Sequence, residues 1–183
     1  MSAGLHATLL PSPWVVRWAH LVRDGGSVLD VACGSGRHVR FFNERGCAVT
    51  GVDRDEAALA SLTPIAQTVV ADIENGPWPF AGRRFDAVVV TNYLWRPLLP
   101  AIVDAVADGG VLIYETFAAG NESVGKPSNP NFLLRPGELL QAVPPLRVVA
   151  YEDGFLAAPE RFVQRVAAVR EGALASPPAR YPL

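Results

Sequence analysis

The chain has 183 residues, half of them hydrophobic and 19% charged, so it can bury a core of its own and is not a disordered polymer. Sixteen basic residues against eighteen acidic ones leave a formal charge of −2, without the basic excess of a sequence-independent nucleic-acid binder. Two cysteines are too few for a disulfide framework or a structural zinc site, so no metal centre is expected. No apolar run approaches the roughly 20 residues that span a bilayer. Met1–Leu10 lacks the charged start and unbroken apolar stretch of a secretion signal. A cytoplasmic, membrane-free protein is the expectation.

Taken in chain order, Trp14–Val22 reads as a helix covering whatever follows. Ser27–Ala32 is a first buried strand, rich in Val and Leu. A helix over Gly36–Arg45 follows, and Gly46 stands where a left-handed cap belongs. Ala48–Val52 is the second strand, and Asp55 caps a helix over Glu56–Leu62. Thr68–Ala71 and Phe85–Val90 are strands three and four. Leu98–Ala107 is helical and stops at Asp108-Gly109-Gly110, before a fifth strand over Val111–Phe117. Pro136-Gly137-Glu138 opens a short helix. Leu146–Tyr151 and Phe162–Val169 are then strands joined through Asp153-Gly154 and Ala158-Pro159, too short a link for a crossover helix, so they pair antiparallel.

Strands alternating with helices predict an α/β fold with a mostly parallel sheet, helices on both faces and a C-terminal antiparallel hairpin. One domain over 1–183 is expected, with a core at 25–170, a covering helix within 1–24 and a proline-rich tail at 171–183.

The strongest site signal is Val28-Leu29-Asp30-Val31-Ala32-Cys33-Gly34-Ser35-Gly36-Arg37-His38. A strand ends, Gly34 and Gly36 permit a tight turn, and a helix begins. Asp53 ends the next strand, where a carboxylate can accept hydrogen bonds from ribose hydroxyls. Together these residues predict a nucleoside-containing cofactor. Val39 occupies the third glycine position of a dinucleotide fingerprint, which argues against a pyrophosphate. Asp30 would repel phosphate but suits an ammonium group. Asp53 also has capping-box spacing with Glu56, which leaves a helix-cap role open. Asp72 could serve only the turn before Asn75-Gly76. Arg37 and His38 read as solvated first-turn residues, and Cys33 as a small residue filling the loop.

At these residues the chain resembles the Rossmann-like (class I) methyltransferases that use S-adenosylmethionine. Their acidic–glycine loop corresponds to Asp30-Val31-Ala32-Cys33-Gly34-Ser35-Gly36, with Ala32 in place of the first glycine. The resemblance covers roughly residues 25–170 and implies a seven-stranded Rossmann-like sheet. It implies a cofactor set of Asp30, Ala32, Gly34, Gly36, Asp53, Arg54, Asp72, Ile73 and Thr91. Asp53 would take the ribose, and Asp72-Ile73 the adenine. Small size and the Gly-Ser-Gly-Arg loop are similar to the tellurite-resistance and thiopurine type, which implies a small-molecule methyl acceptor.

Tyr93 and Glu115 are the candidate catalytic residues, the latter as a general base if the acceptor arrives protonated. Trp95, Arg96 and Asn121 are candidate substrate residues, Arg96 for an anionic acceptor. Residues 118–135 leave the carboxyl end of the fifth strand and are long enough to act as a lid. Within them Gly120–Lys126 imitates the first seven positions of a P-loop, but Pro127 stands where Ser or Thr must hold magnesium, and Ser128–Asn131 breaks any helix. The chain lacks the Asn/Asp-Pro-Pro-Tyr run used on exocyclic amines, with Thr91-Asn92-Tyr93-Leu94 in its place. An RNA or protein methyltransferase and a non-catalytic adenosylmethionine-binding module remain the alternatives.

Overall fold

Apolar residues run almost continuously through the central strands because a parallel sheet covered on both faces offers no solvent side. Strand β1 (Ser27–Val31) pairs in parallel with β2 (Ala48–Asp53), and β2 with β3 (Gln67–Val70). On its other side β1 pairs in parallel with β4 (Phe85–Thr91), and β4 with β5 (Val106–Phe117). The hairpin of β6 (Arg147–Ala157) and β7 (Glu160–Val169) closes the sheet, with β7 antiparallel to β5. The resulting order, β3-β2-β1-β4-β5-β7-β6, is the expected seven-stranded arrangement. The computed structural model describes residues 10–172 and 179–183. The reading of Met1–Leu10 as no secretion signal falls on residues 1–9, and Pro177 and Pro178 of the tail also lie outside the described residues.

Helices cover both faces. On one side α1 (Pro13–Trp18), α2 (Arg37–Glu44) and α3 (Glu56–Ala60) bury Trp14, Trp18, Phe42 and Leu59 against Val28, Val89 and Ile113. On the other, α4 (Leu99–Asp104) and α5 (Glu138–Gln141) bury Ile102 and Leu139 against Leu29, Val88 and Leu112. Each apolar side chain of that size contributes about 1.5–3 kcal/mol when fully removed from water. The link from β3 to β4 carries no helix. Trp78, Phe80 and Phe85 fill that space edge to face, with ring centroids 5.1 and 5.6 Å apart.

Two boundaries differ from the expectation. The helix read over Leu98–Ala107 ends at Asp104, and Val106 already pairs with Phe85. Asp108-Gly109-Gly110 therefore lies inside β5, where Gly109 at φ +77° donates to the Arg170 carbonyl at 2.7 Å. Likewise Asp153-Gly154 belongs to β6, and the hairpin turns only at Ala158-Pro159. Continuing the ladder satisfies backbone groups that a turn at Gly154 would leave unpaired. Turn residues marked the right neighbourhood but the wrong end of each element.

The sheet order reverses between β1 and β4, so the loops leaving their carboxyl ends diverge and open a crevice. Ala32 after β1 and Asn92 after β4 both adopt left-handed backbone, at φ +52° and +54°. Each costs about 1–2 kcal/mol relative to ordinary conformations.

Candidate active site

Two adjoining hollows at this crevice share Ala32. One, of about 310 Å³, is bounded by the glycine loop with Arg37 and His38 and by Thr91 and Asn92. The other, of about 260 Å³, is bounded by Asp53, Arg54, Asp72, Ile73, Glu74 and Tyr93. Backbone hydrogen bonds shape the loop between them: Gly36 N–H donates to the Cys33 carbonyl at 2.9 Å, and Cys33 N–H to that of Val52 at 3.0 Å. Gly36 has φ +77°, and a Cβ there would run into the Leu62 side chain. Its glycine is thus required by packing of α2 on α3 as well as by the turn.

Asp30 sits beneath this loop, 1% exposed, and among the described residues its Oδ2 has no hydrogen-bond partner. Burial raises its carboxyl from the ordinary value to about 8, with nearby Arg37 opposing the rise. His38 offers no compensating charge. Burial and Arg37 push it down to about 3, so the ring is neutral. Its Nε2 accepts from Ser12 N–H at 3.1 Å, which leaves the proton on Nδ1, 3.9 Å from Asp30 Oδ2 and too far for a hydrogen bond. Reading Arg37 and His38 as solvated residues is therefore corrected: His38 is 2% exposed and Arg37 lies in the cleft wall.

Asp53 braces the loop. Its Oδ2 accepts from Gly34 N–H at 2.8 Å and its Oδ1 from Asp55 N–H at 2.9 Å. The cap of α3 is Asp55, which accepts from Ala58 N–H, so the capping role left open for Asp53 falls to its neighbour. Asp72 is exposed and spends its carboxylate on its own turn, accepting from Glu74 N–H, Asn75 N–H and the Asn75 side chain at 3.0, 3.1 and 2.9 Å. Those bonds, that of the Asn75 side chain first, hold it below the usual carboxylate range. The Ile73 side chain is buried in the core. Thr91 Oγ1 accepts from Arg37 Nη2 at 3.2 Å.

On the acceptor side the structure corrects three readings. Arg96, expected to face an anion, has four of its five N–H donors engaged: two on Glu138 at 2.6 and 2.9 Å, and two on the carbonyls of Asn131 and Leu133 at 2.7 and 2.8 Å. Asn121, 1% exposed, donates to the Pro127 carbonyl and accepts from Phe162 N–H. Both hold the 118–135 loop to the body instead of facing a substrate. Glu115, also 1% exposed, accepts from Ser12 Oγ at 2.9 Å and Arg165 Nη1 at 3.2 Å, with Arg161 Nη2 at 3.6 Å. These contacts tie Glu115 to Ser12 and to both arginines inside the body of the protein. Trp95 packs, partly buried, against the core, and Tyr93 lies in the second hollow.

What sequence reasoning missed is the arginine cluster. Arg161 and Arg165 are four apart in β7, hence on one face of the sheet. Arg165 bonds Glu152 and lies over the Trp14 ring, 4.8 Å from its centroid. Arg161 has a buried Nε with no partner. Their four-residue spacing in β7 was the available signal. Among the described residues no group of three or more His, Cys, Asp or Glu is placed to hold a metal ion.

This architecture is the Rossmann-like methyltransferase fold, and residues 28–110 match the family model described as a methyltransferase domain. Among individual proteins, the chain is 32% identical over 106 residues to malonyl-[acyl-carrier protein] O-methyltransferase of Serratia marcescens. That match takes in 53% of this chain and only 40% of the relative, so the chain spans less than half of that protein's length. In fold it is similar to TehB from Haemophilus influenzae, with TM-score 0.69 and 22% identity over 88% of this chain and 63% of that one. It is similar too to a TehB-like methyltransferase from Corynebacterium glutamicum, with TM-score 0.67 and 20% identity over 92% and 94% of the two chains. The residues present fit the cofactor this class implies. Among the described residues the buried Asp30 Oδ2 beside the glycine loop has no hydrogen-bond partner, which is the kind of acceptor an α-ammonium group requires.

Proposed function

We propose that the chain is a single-domain, cytoplasmic enzyme that methylates a small anionic acceptor with S-adenosylmethionine. The observation that carries this reading is the buried Asp30 carboxyl beneath a glycine loop, with no partner for its Oδ2 among the described residues. Asp30 would take the ammonium group, the Gly34–Gly36 loop would approach the methionine backbone, and Asp53 would accept from the ribose. Arg54, Asp72, Ile73 and Thr91 complete the proposed wall. The bound cofactor supplies an electrophilic methyl group on a sulfonium.

The chain's own residues then have three tasks. They orient the acceptor in line, exclude water, and stabilise its negative charge until the methyl is transferred. Arg161, whose Nε has no partner among the described residues, and Arg37, which bonds Thr91, would serve the third. Glu115 holds Arg161 and Arg165 in position and is not used as a base. An acceptor that is already anionic, such as a thiolate, a carboxylate or a metalloid oxyanion, needs none. The net charge of −2 and the absence of a basic stripe favour a small acceptor over a nucleic acid.

The test is transfer of a labelled methyl from S-adenosylmethionine to a panel of small thiols, carboxylates and metalloid oxyanions, with neutral amines and alcohols as controls. Turnover confined to anions, and reduced in Arg161→Met without loss of cofactor affinity, is the expected result. Turnover on neutral amines alone would remove the anionic-acceptor reading, and cofactor binding without turnover on any class would leave a binding module.

A further inference from the structure

Four polar side chains, those of Asp30, His38, Ser12 and Glu115, are buried in a row behind the crevice. Polar groups so placed need partners, and Ser12 supplies them in the middle of the row. Its N–H donates to His38 Nε2 at 3.1 Å. Its hydroxyl donates to Glu115 Oε1 at 2.9 Å and accepts from Trp14 N–H at 3.1 Å. The residue that caps α1 therefore also grips the first turn of α2.

A backbone N–H can only donate, so Nε2 is the unprotonated nitrogen of His38 and the single proton of the neutral ring is on Nδ1. That nitrogen lies 3.9 Å from Asp30 Oδ2, the oxygen without a hydrogen-bond partner among the described residues. The opposite tautomer would present a lone pair to Asp30 instead of a donor. Burial opposes the charged form of Asp30 most, and Asp53 at the end of β2 adds to that opposition. Arg37 and the Val39 N–H, both on α2, favour the charged form.

We infer that Ser12 and His38 are positioning residues for Asp30: the Ser12 N–H locks the His38 tautomer, and the His38 Nδ1–H is the donor that the Asp30 carboxylate takes up on receiving the ligand's ammonium group. The 3.9 Å gap then closes to hydrogen-bond length. Asp30 gives its own proton to solvent, because the His38 ring already carries one at Nδ1 and has Nε2 occupied. A fixed neutral donor and the entering cation thus share the new negative charge, and hydrogen bonds to a charged group are the stronger kind. The inference rests on the methyltransferase reading of this crevice.

Calorimetric titration with S-adenosylhomocysteine tests it in His38→Gln and His38→Asn. A glutamine amide reaches the place of Nε2 and keeps the bond to Ser12 but offers Asp30 no donor, whereas an asparagine amide reaches the place of Nδ1 and keeps that donor. His38→Gln should lose about tenfold in affinity, and His38→Asn should stay within about threefold of wild type. Nitrogen-15 NMR of the wild-type histidines keeps the test open if a variant folds poorly. The His38 ring should show the neutral Nδ1–H form at neutral pH, and that proton should move downfield when S-adenosylhomocysteine is added. An Nε2–H form, an Nδ1 proton that does not respond to the ligand, or a loss in His38→Asn as large as in His38→Gln would overturn the inference. Failure of folded wild type to bind S-adenosylhomocysteine would instead contradict the methyltransferase reading itself, a result distinct from losses confined to the variants.

Discussion

Asp30 and Asp72 stand at the carboxyl ends of two strands of the same sheet, yet they are in opposite physical states. Asp30 is buried, raised to about 8 and short of a partner at Oδ2. Asp72 is exposed, lowered, and occupied by its own turn. The arginines repeat the contrast, with Arg96 making four hydrogen bonds and Arg161 carrying a buried Nε without a partner among the described residues. A polar group whose bonds are complete within the chain builds structure, whereas one buried and incomplete is held for a ligand, because an unpaired buried group costs about 1–3 kcal/mol.

The sharpest way to break this contrast is to remove its unsatisfied member. Asp30→Asn should weaken S-adenosylhomocysteine binding by about 1.5–3 kcal/mol, roughly ten- to more than a hundredfold, measured by calorimetry. An unchanged affinity would mean that no cation approaches Asp30. The satisfied arginine should behave in the opposite way. Arg96→Met should lower stability by about 1–3 kcal/mol in denaturant melts, since it removes two hydrogen bonds to the 118–135 loop and two to Glu138, while cofactor affinity holds. Loss of cofactor affinity with stability intact would reverse the two roles.

A third prediction concerns pH. The folded chain raises Asp30 to about 8, so between the ordinary carboxylate value and 8 the folded state holds a proton that the unfolded state has released. That contribution is complete at low pH and is lost as pH rises through about 8. The unliganded wild type should therefore lose stability across this window more steeply than Asp30→Asn, as thermal melts at several pH values would reveal. The smallest effect is at Ala32, whose left-handed φ of +52° suits glycine better. Ala32→Gly should stabilise the chain by up to ~1 kcal/mol, and a loss of stability would show that the methyl group packs usefully.

Much of this contrast was readable in the sequence, and the part that was not has a physical reason. Apolar runs and glycine turns are local signals, so the five parallel strands, the hairpin and the Asp30–Gly36 loop emerged within a few residues of their observed ends. Gly109 and Gly154 misled because a glycine allows a turn without requiring one, and ladder pairing won at both. Whether Asp72 or Arg96 is free depends on partners: Asn75 lies three residues away, but Asn131, Leu133 and Glu138 lie more than thirty away. Spacing does not encode such contacts. Ser12, which caps α1, pairs with His38 at a separation of 26 residues and with Glu115 at 103, which is why α1 read only as a cover and not as part of the cleft's support.

The most direct measurement is calorimetric titration of S-adenosylhomocysteine at pH 7 in two buffers of different ionisation enthalpy. If buried Asp30 must give up its proton to receive the ligand's ammonium group, the apparent enthalpies will differ by the release of close to one proton per cofactor, and Asp30→Asn will abolish the difference. Tight binding with no proton released would contradict the role given to Asp30, and no binding by the folded protein would contradict the methyltransferase account as a whole.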